Sequence, residues 1–100
     1  MEFSVSERLM LLSLLPKEGD YASLRMAVRL RAIIAFTEEE GKELKFRNED
    51  GTIRWTPVVG PKQIDLSDDD VRFLRSRLQI LNDAQKLTEP HLPLCDKFFE

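Results

Sequence analysis

The chain offers few residues that could do chemistry. It holds one histidine and one cysteine, His91 and Cys95. Four positions apart, they would share a helix face, as paired metal ligands often do. Two ligands do not make a zinc site, which usually takes four, and Pro93 between them spoils the helical spacing. The reading is a surface histidine beside a half-buried cysteine, with no metal bound. No glycine-rich phosphate loop, nucleophile elbow or metalloprotease pair occurs. The runs Asp68-Asp69-Asp70 and Glu38-Glu39-Glu40 have the composition of acid/base or divalent-ion groups. Both stand at helix starts, where the positive end of the dipole accounts for them. These residues point to a non-catalytic protein without a cofactor.

Three arginines are more informative. Arg25, Arg29 and Arg31 sit on an otherwise apolar helix, where charge is costly unless paired. Arg25 and Arg29 share a face at i, i+4, and Arg31 points to the other side. One account pairs them with the acidic runs. The other makes them an anion pocket for a small phosphorylated ligand such as a nucleotide signal, completed across an oligomer.

Several elements must position these groups. Ser4 and Glu7 form a capping box for a helix over Val5–Leu15, with Val5, Leu9, Leu12 and Leu15 inward. After a turn at Pro16–Asp20, Asp20 caps a second helix over Tyr21–Phe36, apolar almost all round and so suited to the middle of a small bundle. Thr37-Glu38-Glu39-Glu40 opens a short acidic helix that Gly41 limits to one or two turns. Leu44–Arg47 and Thr52–Thr56 alternate around Asn48-Glu49-Asp50-Gly51 as a β-hairpin. A two-residue turn pairs Phe46 with Trp55 and a four-residue turn pairs Phe46 with Ile53. Either register leaves Leu44, Phe46, Ile53 and Trp55 on one face, with Trp55 buried against the helices.

Pro57–Pro61 reads as a linker. Ser67 and Asp70 then cap the longest helix, Asp68–Leu87, with Leu66 and Val71 as a hydrophobic staple. Val71, Leu74, Leu78 and Leu81 form one apolar stripe. Phe73, Ile80, Ala84 and Leu87 form a second, which the proline-broken tail is poorly suited to cover. An uncovered apolar stripe predicts self-association as a two-fold homodimer. Pro90 and Pro93 limit the tail to a last turn or two of helix, with Leu92, Leu94, Phe98 and Phe99 to bury.

Composition sets the outer bounds. One hundred residues make a single domain over 1–100, and 42% hydrophobic content suits one globular core. A net charge of −3 argues against a nucleic-acid partner, which needs clustered positive surface. A lone cysteine fits a reducing compartment. The Leu9–Leu15 run lacks a basic leader, so the expectation is a cytoplasmic protein without signal peptide or membrane span. The fold class is α+β, mainly α: two N-terminal helices, a short acidic helix, a β-hairpin and a long C-terminal helix.

Leu15-Pro16-Lys17-Glu18-Gly19-Asp20, Phe36-Thr37-Glu38-Glu39-Glu40, Ile53-Arg54-Trp55 and Lys86-Leu87-Thr88-Glu89, with His91 and Lys97-Phe98, resemble a family of small tailed-bacteriophage proteins over nearly the whole chain. Gly41, Pro90 and Pro93 depart from that pattern. The family has no established activity, so the resemblance implies a phage or prophage source rather than a mechanism. The expected function is binding to another macromolecule, host or phage, or to itself, in a host-takeover, counter-defence or assembly role. The element order also resembles a winged helix. In that reading the third helix enters the major groove, and here it carries the Glu38–Glu40 run, which DNA repels.

Overall fold

A computed structural model describes residues 1–55 and 60–99. Thr56 and the start of the Pro57–Pro61 linker lie outside these residues. The order is β1 (Glu2–Phe3), α1 (Val5–Leu14), α2 (Tyr21–Ile34), α3 (Glu38–Leu44), β2 (Arg47–Glu49), β3 (Thr52–Arg54), β4 (Lys62–Gln63), α4 (Asp68–Asp83) and α5 (Leu92–Phe98), with a 3₁₀ turn at Glu89–His91. The fold is α+β and mainly α, in the expected order, with two additions. Phe3 and Lys62 pair in a short antiparallel β1–β4 ribbon, and the Met1 carbonyl accepts from the Ile64 N–H at 2.8 Å. Two-residue strands carry too little alternation to be read from sequence.

The helix starts form as their sequences direct. Ser4, Thr37 and Ser67 each accept from the third residue of the helix that follows, and Glu7, Glu40 and Asp70 each return the bond to the cap N–H. Asp20 caps α2 by accepting from Ser23 N–H at 2.8 Å. The end of α4 differs from the Asp68–Leu87 expectation. Gln85 takes φ 57°, Lys86 N–H donates to Leu81 O at 2.8 Å and Gln85 N–H to Asn82 O at 3.0 Å. This bond pair is a Schellman motif, which closes the helix by satisfying its last carbonyls. Glycine usually takes that left-handed position, and a glutamine there is no stop signal to a reader of sequence.

The core gathers one stripe from each long helix: Leu11 and Leu14 of α1, Leu30 and Ile34 of α2, Leu74 and Leu78 of α4, with Leu94 and Phe98 of α5 and Phe3 of β1. In α1 the inward set is turned from the expected one. Val5 and Leu15 are buried as expected, Leu9 and Leu12 only half-buried, while Leu11 and Leu14 fill the core. The cause is that Glu7 and Arg8 also face inward, which rotates the buried arc. α2 is not the all-round buried helix its composition suggests. Ala27, Leu30 and Ile34 are buried, and Tyr21, Val28 and Ile33 are exposed at 72%, 56% and 36%.

The hairpin settles on the two-residue turn. Asn48 pairs with Ile53 and Glu49 with Thr52, and Asp50 and Gly51 both have positive φ, at 51° and 79°. That places Phe46 beside Trp55, ring centroids 6.2 Å apart, and Phe46 edge-on to Phe36 at 5.1 Å. Burial of Trp55 against the helices does not hold. Trp55 is half-buried and all six strand residues are solvent-exposed, with Ile53 at 52%. Leu44 is fully buried but belongs to α3. The hairpin is a short arm hinged on an aromatic trio. Trp55→Ala is therefore expected to cost about 1–2 kcal/mol, the scale of an aromatic pair plus partial burial. A loss of about 4 kcal/mol in urea unfolding would mean the arm is part of the core.

Candidate functional site: the outer face of α2

α2 is held from behind by charge. Arg8 of α1 is fully buried, with Nε donating to Ile34 O at 3.1 Å and Nη2 to Ala35 O at 3.0 Å. These are the last carbonyls of α2, at the negative end of its dipole, where a cation is favourable. The same guanidinium donates to Glu40 Oε2 at 2.6 Å and lies 4.1 Å from the centre of the Phe36 ring. Farther along the helix, Arg29 forms a two-point ion pair with Asp70. Each of the three capping-box carboxylates is thus shared with a cation from another element. Glu40 meets Arg8, Asp70 meets Arg29, and Glu7 Oε2 lies 2.7 Å from Lys97 Nζ of α5.

These pairings set the acid response of the fold. Arg8 is the main reason the Glu40 carboxyl is held at about 2, below its usual 4.5. For Asp70, burial pulls upward, but the Ser67 N–H and Arg29 outweigh it and keep the carboxyl low. Glu7 follows the same pattern, with Lys97 and the Ser4 N–H prevailing over burial. A depressed folded-state pKa contributes stability above the unfolded value and loses it as pH falls. For Glu40 the window runs from about pH 4.5 down to about 2 and is worth about 3 kcal/mol. Urea unfolding at pH 7 and pH 3 is expected to show most of that loss, and Glu40→Gln to flatten it. An unchanged pH profile in Glu40→Gln would contradict the assignment.

The outward side of α2 carries the arginines singled out by sequence. Arg25 and Arg29 come together in an open depression of ≈440 Å³ with Ala22, Met26 and Val28. Arg25 Nε donates to the Tyr21 hydroxyl at 3.1 Å. Arg31 does not join them, because it lies across the apolar ridge of the helix. Of the two accounts of these residues, pairing with an acidic run holds for Arg29 through Asp70. Among the described residues no carboxylate forms an ion pair with Arg25 or Arg31.

The second α4 stripe is divided. Phe73 and Leu87 are half-buried against the core, Ile80 is 54% exposed and Ala84 is exposed. Leu87 lies beyond the helix end, and α5 packs Leu94, Cys95 and Phe98 into the core, so the tail is a better lid than its prolines suggest. Pro93 sits in the first turn of α5, where its missing N–H costs nothing. His91 is buried, not at the surface, with Nδ1 accepting from Thr88 N–H at 2.9 Å. Burial and Asp96 push the Cys95 thiol up, away from the reactive thiolate. Among the described residues no three potential metal ligands cluster, and no helix is long and apolar enough to cross a membrane.

Sequence reasoning missed Arg8 and the pairing of Glu40 and Glu7 with cations from other elements. The available signal was a lone arginine one position past a capping box, in a helix otherwise rich in leucine. Comparison with family models, with curated proteins and with solved structures found no match for this chain.

Proposed function

We propose that this chain is a non-catalytic, phage-type protein that works by binding another macromolecule or itself in the host cytoplasm, in a host-takeover, counter-defence or assembly role. The observation that supports the reading is the outward face of α2, where Tyr21 and Val28 stand 72% and 56% exposed among arginines. A helix with a complete buried stripe has no folding reason to keep large apolar groups on its other side. Self-association has a separate surface available, around Ile80 at 54% exposure. A winged-helix role is less supported, because α3 turns Glu38, Glu39 and Glu43 to solvent where DNA phosphates would lie.

Capture of partners from bacterial host extract, with native mass measured alongside, tests the reading. The wild type is expected either to retain a defined host protein or to weigh as a dimer. Val28→Asp and Ile80→Glu, both at exposed positions, are expected to stay folded and to lose one or other association. A wild type that is monomeric at on the order of tens of micromolar and retains only background proteins overturns it. A small phosphorylated ligand at Arg25 and Arg29 is the second reading, supported by the depression these residues line. It predicts that sulfate or a nucleotide raises the melting temperature of the wild type and not of an Arg25→Gln, Arg29→Gln variant.

A further inference from the structure

At about 100° per residue, Tyr21, Leu24 and Val28 share one strip of the outer side of α2, a ridge with Tyr21 and Val28 exposed and Leu24 half-buried between them. Arg25 and Arg29 run along one flank of the ridge and Arg31 along the other. The helix holds three arginines and no carboxylate, in a chain whose net charge is −3. Asp70 balances Arg29 alone, and the Arg25 guanidinium rests against the Tyr21 ring, 5.4 Å from its centre. The face is therefore apolar along its crest and cationic on both sides.

We propose that this ridge docks an acidic amphipathic helix of a partner protein. Apolar residues of that helix would pack on Tyr21, Leu24 and Val28, and its carboxylates would meet Arg25 and Arg31. The inference rests on the binding function proposed above and names the class of partner. Spacing of i, i+3, i+7 is the ridge that another helix accepts between its own rows of side chains. Charge selects among helices, because a cationic rim favours carboxylates and repels its own kind. A second copy of this chain is a poor occupant for that reason. A two-fold contact through α2 would set its arginines near their own symmetry mates. Phosphate-bearing polymers are disfavoured by the net negative charge of the remaining surface.

The test titrates ¹⁵N-labelled protein with a helical peptide of about 18 residues, long enough to hold several turns, with leucine along one stripe and glutamate on both flanks. A second peptide replaces every glutamate by lysine. The glutamate peptide is expected to shift the amides of Tyr21–Ile33 and to bind at least about tenfold more tightly than the lysine peptide. Val28→Asp should abolish binding, and an Arg25→Glu, Arg31→Glu variant should reverse the preference. Thermal melts of both variants check that they remain folded. Equal affinity for the two peptides, or no shifts with either, overturns the proposal. Shifts confined to the hairpin or to the surface around Ile80 also overturn it, while leaving the broader binding function standing.

Discussion

Replacing Arg8 by methionine is expected to lower the folding free energy by about 3–5 kcal/mol, the cost of removing one partner from a buried ion pair. Methionine fills much of the same volume, so a cavity contributes little. The loss comes from what Arg8 leaves behind. The Ile34 and Ala35 carbonyls lose their donors, and Glu40 keeps its Thr37 N–H bond at 2.9 Å but loses its guanidinium. Lys62 Nζ, 3.8 Å from Glu40 and 40% exposed, is a weak substitute. The midpoint in urea should fall sharply at pH 7 and much less at pH 3, where Glu40 in the variant is protonated. The pH contrast separates an electrostatic loss from a packing loss. A variant within about 1 kcal/mol of wild type would mean that desolvation of the guanidinium already cancels its attractions.

Phe98→Ala is the second large effect, at about 3–5 kcal/mol for a truncated core aromatic. Phe98 is 2% exposed, and its ring stacks on Phe3 with centroids 6.1 Å apart and planes 12° from parallel. Lys97 beside it reaches Glu7 in the capping box of α1 and lies 4.9 Å from the centre of the Phe3 ring. The C-terminal helix therefore seals the N-terminal strand and the start of α1 together. Hydrogen exchange offers a local readout, since the Ile64 amide depends on the β1–β4 ribbon that Phe3 anchors. In Phe98→Ala that amide is expected to exchange much faster than those of Leu74 and Leu78 in α4. Equal acceleration everywhere would mean global unfolding and no special role for the seal.

The α2 face was half legible. Arg25, Arg29 and Arg31 stand out in sequence because charge on an apolar helix needs an explanation. Which side of that helix faces water was not readable, since Val28 and Ile33 have the same hydropathy as Leu30 and Ile34. The second α4 stripe is shorter than the sequence suggests, and divided in its exposure, for a related reason. Phe73, Ile80 and Ala84 still align along α4, but Leu87 joins them only if the helix runs on, and Gln85 in the left-handed region ends it sooner.

The sequence by itself determined the beginnings of the helices and the place of the hairpin, and the structure chose between its two-residue and four-residue turns. Each helix start depends on bonds within four residues: Ser4 with Glu7, Thr37 with Glu40, and Ser67 with Asp70. Such contacts form whatever the rest of the chain does, so residue type and spacing suffice to read them. Tertiary structure alone decided which cation each capping carboxylate meets, because Lys97, Arg8 and Arg29 lie 90, 32 and 41 positions from their partners. It also decided that Arg8 points inward and that Tyr21 and Val28 point out. A helix of this composition can bury either side. The choice falls to the set of partners that satisfies the buried guanidinium, and those partners meet only when the chain is folded.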